Sequence, residues 1–181
     1  MRLARPVSAL LTAVTLTGVT AVGQDDPLLE KSREVTAEFA ARMQAALQRG
    51  MAAGGPVGAI GACRDEAPEI AAALSAESGA MVSRTSLKVR NPDNAAEDWQ
   101  AGVLARFDSE GAGAEYFERT DDGARYMKAI PTGALCLNCH GTVIPPDIDK
   151  KLDEAYPDDE ARGYYLGDVR GAFSVVWPDS N

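Results

Sequence analysis

The sequence predicts an α+β domain, an antiparallel sheet with helices to one side, and three observations lead there. Helical and strand patterns follow one another in blocks, without the regular strand-helix alternation that builds a parallel sheet. Two β-rich runs flank an Asp-Asp-Gly turn, the mark of an antiparallel hairpin. The composition, 45% hydrophobic and 25% charged over 181 residues, is that of one ordinary globular domain and excludes collagen-like, coiled-coil and disordered chains.

The first residues read as a leader. Arg2 and Arg5 precede an uncharged run to Gln24 whose apolar residues are diluted by threonine and glycine. This is the pattern of a secretory signal peptide over residues 1–23, with Ala21 and Gly23 placed for cleavage before Gln24. An uncleaved membrane anchor is the competing reading, but so short and Thr-rich a run spans hydrocarbon only marginally. The remaining residues, 24–181, then form a single domain in a bacterial periplasm.

From Pro27 to Met51, apolar Val35, Phe39, Met43 and Leu47 recur every four residues, which predicts an amphipathic helix packed on a core. Gly54-Gly55-Pro56 ends it. The small residues from Val57 to Ala62 then allow a close approach to a neighbouring strand or a flat ligand. A second helix is expected from Asp65 to Ser78, with Pro68 in its first turn and Gly79 as its stop. Met81 to Val89 alternates as one or two strands. Asn94, with Glu97 three residues on, predicts the cap of a helix whose apolar face carries Trp99, Val103, Leu104 and Phe107. Tyr116–Thr120 and Arg125–Ile130 form the hairpin about Asp121-Asp122-Gly123. A short helix bearing Ile148, Leu152 and Ala155, the loop Tyr156 to Asp159 and a last strand, Val169 to Trp177, complete the chain.

Eighteen basic residues against 27 acidic ones give a net charge of −9, a surface that does not seek nucleic acid. With three cysteines and one histidine in the chain, each carries information. Cys136-Leu137-Asn138-Cys139-His140 has the spacing of a c-type haem attachment site. Two thiols three residues apart on a helical turn meet the two vinyl groups of one porphyrin, and the next histidine comes under the iron. Three other chemistries compete. A Cys63, Cys136, Cys139, His140 zinc site would need adjacent Cys139 and His140 to bind one tetrahedral ion. A thioredoxin-like pair would sit in a βαβ unit, which is lacking. A Cys136–Cys139 disulfide would close too small a loop to stabilise much.

His140 is the only histidine, so a sixth ligand to a haem would come from elsewhere, and Cys63, four methionines (43, 51, 81, 127), Lys88, Lys128 or an open position are the alternatives. Cysteine arithmetic favours Cys63, the odd thiol in an oxidising compartment. Small residues precede it and the expected helix N-terminus follows, which favours thiolate; Asp65, Glu66 and Glu69 oppose it. Arg84, Lys88 and Arg90 form either a solvated strand face or a set of partners for haem propionates.

Six runs together resemble the Tll-like haem-binding domain family, periplasmic single-haem proteins once described only as a domain of unknown function. They are Gly58 to Cys63, Arg84 to Pro92, Arg125 to Pro131, Cys136 to Gly141, Tyr156 to Asp159, and Gly167 to Ser174. The resemblance covers nearly all of the chain after the leader. It implies a PAS-like fold with one covalent haem c, attached through Cys136 and Cys139, with His140 as proximal and Cys63 as distal ligand. Relatives occur alone or as sensory parts of signalling proteins, which implies redox or gas sensing by exchange of the thiolate. Here any output would pass through a separate partner. An electron-transfer cytochrome passing single electrons to a periplasmic partner is the alternative. No acid/base pair suggests an enzyme, and apart from an uncleaved leader nothing suggests a membrane.

Overall fold

The computed structural model describes residues 26–179; the expected signal peptide and its cleavage site lie outside the described residues. The centre is a four-stranded antiparallel sheet in the order β1-β4-β3-β2. The strands are β1 (Met81–Thr85), β2 (Glu115–Thr120), β3 (Gly123–Pro131) and β4 (Val169–Pro178). The expected PAS-like α+β architecture, a sheet flanked by helices, is what is found, with one correction: helices cover both faces, not one side. The reason lies in the central strands. Tyr126, Phe173, Val175 and Trp177 pack with Leu29, Phe39 and Leu74 on one face, while Met127, Ala129 and Ala172 pack with Val103, Leu104 and Phe107 on the other. A strand apolar on both sides of its pleat needs cover on both.

The first face is covered by a helical hairpin. Helix α1 (Pro27–Gly61) opens with Asp26 capping the Leu28 N–H and is interrupted at Gly54 and Gly55, the latter at φ 63°. The chain reverses there, as the Gly54-Gly55-Pro56 signal predicts, but residues 57–62 return as helix and not as strand. Their close approach is to the outgoing limb of the same hairpin. A methyl group on Gly58 would lie 2.6 Å from the Gly50 carbonyl oxygen, and Arg42 pairs with Glu77 and Arg49 with Glu66 across the limbs. The return limb runs through a π-turn (Ala62–Glu66) into α2 (Ala67–Ser78), where Pro68 lies in the first turn and Gly79 at φ 79° forms the stop.

Helix α3 (Asp98–Glu110) covers the second face. Its cap is Glu97, not Asn94, which belongs to a 3₁₀ turn (Pro92–Asn94). Glu97 and Gln100 repeat the three-residue spacing of Asn94 and Glu97, so spacing alone did not select the register. Gln100 accepts from the Glu97 N–H at 3.0 Å and donates to Ser174 Oγ at 3.1 Å, pinning α3 to β4. Strand β1 ends at Thr85, not Val89, because Ser86 Oγ turns to the Lys88 and Arg170 carbonyls. Two short helices, α4 (Leu137–His140) and α5 (Pro146–Ala155), fill the connection from β3 to β4. No described helix is long and apolar enough to cross a membrane.

Two polar contacts fasten α1 to the sheet. The buried Trp177 indole donates to Ser32 Oγ at 2.7 Å. Glu115 accepts from the Arg33 guanidinium and, at 2.9 Å, from the Tyr126 hydroxyl. The Arg33 hydrogen bond holds the Glu115 carboxyl below its ordinary value of 4.5, with help from Tyr126 and against the effect of burial. A carboxylate whose pKa is lowered on folding stabilises the native state above its unfolded pKa, and that stabilisation is lost as pH falls through the folded value. Unfolding free energy should therefore drop on acidification below about 4.5, and Glu115→Gln should flatten that part of the profile, as read by urea titrations across pH.

Candidate functional site

The Cys136 to His140 motif folds as one helical turn. The Cys139 and His140 N–H groups donate to the Cys136 carbonyl at 3.1 and 2.9 Å, and Gly141 donates to Leu137 at 3.0 Å. Both thiols are half-buried. Cys139 adjoins an apolar wall of Ile60, Ile148, Leu152 and Tyr156, and burial pushes its thiol up despite the nearby Arg90 charge.

Backbone contacts lace this turn to the loop that follows α5. Tyr164 donates to the His140 carbonyl at 2.9 Å and Gly163 to that of Gly141 at 3.0 Å. His140 Nδ1 lies 2.7 Å from the Ala161 carbonyl oxygen. A carbonyl only accepts, so the hydrogen-bond network assigns the proton to Nδ1 and leaves the Nε2 lone pair free. Arg170 Nε, 3.2 Å from Nδ1, is then a neighbouring donor and not a partner. Burial, with the Arg170 and Arg90 charges behind it, drives His140 well below 6.5 and keeps the imidazole neutral, the form that ligates a metal.

Arg90, expected to meet a haem propionate, is buried and already committed. Its fork holds Asp159 at 3.0 and 2.9 Å, and Nη2 donates to the Cys139 carbonyl at 2.6 Å. Nη1 stands 3.5 Å from His140 Nε2, too far to bind that nitrogen strongly. Asp159 also accepts from the Ala161 N–H and from Arg162, which reaches Asp149 and Asp153 of α5. Burial alone would raise the Asp159 pKa, but the Arg90 bond and charge bring it below the ordinary value. Lys88 is turned elsewhere too: its ammonium donates to the Arg162 carbonyl and stands 4.4 Å over the Tyr164 ring.

Arg84 and Arg170 differ from these. Each is half-buried, neither has a carboxylate partner among the described residues, and burial lowers the pKa of both. Arg170 is steadied by Ser86 Oγ at 3.1 Å. Cys63 lies close enough for its charge to act on Arg84, Arg170, Tyr156 and Cys139. It sits inside the π-turn and not before a helix N-terminus, so the expected dipole assistance to its thiolate is absent. Two of the three opposing carboxylates are compensated, Asp65 by Arg64 and Glu66 by Arg49.

Among the described residues no three His, Cys, Asp or Glu side chains converge on a metal position, so the four residues of the zinc alternative do not form a chelating cluster. What converges is different: two thiols on one turn, a neutral imidazole, an apolar wall and two guanidiniums without acids. That set fits a flat metal macrocycle carrying two carboxylates.

The sequence profile of the Tll0287-like family matches residues 19–178. The chain belongs to that family. A solved structure described as that of the cyanobacterial haem-protein Tll0287 superimposes with a TM-score of 0.70, at 25% identity, over 86% of this chain and 98% of its own. No curated protein matches. Within this Tll0287-like chain, sequence reading missed Asp159, Ala161, Tyr164 and Arg170 as parts of the site. They act through tertiary contacts with the motif; Asp159 and Arg170 fall within two of the runs that carry the family resemblance, but nothing in those runs assigns them a role at the site.

The Arg90 and Asp159 pair has side chains only 7% and 1% exposed, and removing one partner of such a pair strands the other charge. Asp159→Asn should cost about 3–5 kcal/mol of stability, measured by urea unfolding, whereas Asp158→Asn in the adjacent exposed position should cost little.

Proposed function

We propose that this chain is a periplasmic mono-haem c-type protein with His/Cys axial ligation that senses redox state or a small gas by exchange of the thiolate ligand. The observation that carries the reading is the single helical turn presenting Cys136 and Cys139 beside a neutral His140 whose Nδ1 is held by Ala161. Membership of a family that includes a haem-protein supports it. A haem bound there supplies a one-electron centre with an exchangeable axial position. Cys136 and Cys139 are the attachment thiols, His140 Nε2 the proximal donor and Cys63 the distal one.

Each remaining residue then has a task. Ala161 orients the imidazole and raises its basicity by accepting from Nδ1. Arg84 and Arg170 receive the propionates, Lys88 braces Tyr164, and Arg90 holds the motif to Asp159. A Cys63 thiolate would favour an oxidised metal by its charge and would hold a reduced one less strongly, which would let the π-turn that carries it move. No step calls for an acid/base pair, and the protein works as a binding and signalling module, not an enzyme. The electron-carrier alternative draws on one feature: Leu135, Val143, Tyr165 and Leu166 are exposed around the motif, and an apolar collar suits brief docking of a redox partner.

Optical and EPR spectra of the ferric and dithionite-reduced protein, matured in a host that attaches haem c, test the reading. A low-spin thiolate signal lost on reduction, followed by CO binding, is expected; six-coordinate spectra in both states would favour the carrier. Cys63→Ser should keep haem attached but change the ferric spectrum. Replacing Cys136 and Cys139 by Ala should leave haem removable by acid extraction.

A further inference from the structure

We propose that Arg162 is a positioning residue: by clamping the loop after α5 to that helix, it holds the Ala161 carbonyl on His140 and so decides which ring nitrogen carries the proton. Its guanidinium reaches three carboxylates. Nε donates to Asp159 at 2.8 Å, Nη2 to Asp153 at 2.6 Å and Nη1 to Asp149. Asp149 and Asp153 stand four residues apart on one face of α5, while Asp159 lies in the loop beyond it. One side chain therefore joins the helix to the loop.

That loop is the frame for the histidine. Every backbone N–H from Asp159 to Tyr165 finds an acceptor. The Arg162 N–H returns to the Glu160 carbonyl at 2.9 Å, which makes Ala161 the centre of a tight three-residue turn. The Ala161 N–H donates to Asp159 Oδ1 at 2.9 Å. The Arg162 side chain leaves the chain at the end of this turn and comes back to the aspartate that opens it, so it bears on Ala161 from both sides.

Two groups compete for His140 Nδ1. The Ala161 carbonyl oxygen is 2.7 Å away and Arg170 Nε is 3.2 Å away. A carbonyl accepts and needs the proton on Nδ1; a guanidinium donates and needs the Nδ1 lone pair, which sends the proton to Nε2. Only the first arrangement leaves Nε2 free to bind a metal. The carbonyl is the closer partner as long as the loop is held, and a loop released from α5 hands Nδ1 to Arg170. Toward a haem iron the same contact acts on ligand strength: a looser bond at Nδ1 makes the imidazole a weaker donor to the oxidised metal and raises the reduction potential. That consequence rests on the haem reading; the choice of tautomer does not.

NMR of the full chain labelled at histidine nitrogen and expressed without haem attachment tests the proposal, and it reports a single ring because His140 is the only histidine. The unaltered chain should show the Nδ1–H tautomer. Arg162→Gln should lower the ratio of Nδ1–H to Nε2–H about threefold or more. Arg162→Lys should recover part of the loss, because an ammonium cannot span the carboxylates as a guanidinium fork does. Arg106→Gln, at an exposed arginine paired with Glu110, should leave the ratio unchanged. In the haem-loaded protein Arg162→Gln should raise the reduction potential. An Arg162→Gln chain that folds by circular dichroism and keeps the ratio of the unaltered chain overturns the proposal. If that chain does not fold, Asp153→Asn, which removes an exposed partner of Arg162 on α5, takes its place, and an unchanged ratio there overturns the proposal equally. A shifted ratio in a chain that takes up no haem on maturation supports the proposal and defeats the haem reading; a potential that stays put while the ratio shifts overturns the step from ring to iron.

Discussion

The buried guanidinium of Arg90 is the constraint on which the rest of the site depends. A charge removed from water demands full compensation, and Arg90 finds it in the Asp159 fork and the Cys139 carbonyl. Arg90 itself lies after β1 and its partners lie in the cysteine motif and the loop after α5, so satisfying one side chain ties three distant stretches of chain together. Asp159 extends the effect by bonding the Ala161 N–H, and the Ala161 carbonyl in turn sets the His140 ring. The orientation of the imidazole is therefore a consequence of the ion pair two contacts away.

A second constraint acts from the helical hairpin. The glycine contact between residues 50 and 58 lets the return limb lie close against the outgoing one, and that limb carries Cys63 to the edge where β1 and β4 present Arg84 and Arg170. A π-turn admits one extra residue into the helical repeat and occurs often at functional sites. Cys63 thus sits within the one π-turn of the return limb, half-buried.

The parts of this arrangement that the sequence discloses are local in character. The motif is legible because its chemistry needs five consecutive residues. Pro68, Gly79 and the Asp-Asp-Gly turn are legible because their signals are steric and act over one or two bonds. What stayed hidden depends on tertiary contact. The return limb from Val57 to Ala62 is too small and uniform to show a helical period, so it read equally well as a strand. The cover on both faces follows from β3 and β4 being central strands, which is a property of topology. The difference between Arg84, without an acid, and Arg90, with one, rests entirely on where Asp159 arrives, 69 residues later in the chain.

That difference bears on how an acidic protein tolerates such a site. With 27 acidic residues to 18 basic ones, a carboxylate could have been placed beside each of Arg84 and Arg170, yet among the described residues neither has one, while Arg33, Arg42 and Arg119 do. The Arg84 charge also lowers the Arg170 pKa, after burial. An uncompensated pair of this kind favours an anionic partner that can face both guanidiniums. A ligand held only by the folded chain stabilises it in proportion to its affinity, so two guanidiniums without acid partners contribute selectivity for a partner that brings two carboxylates.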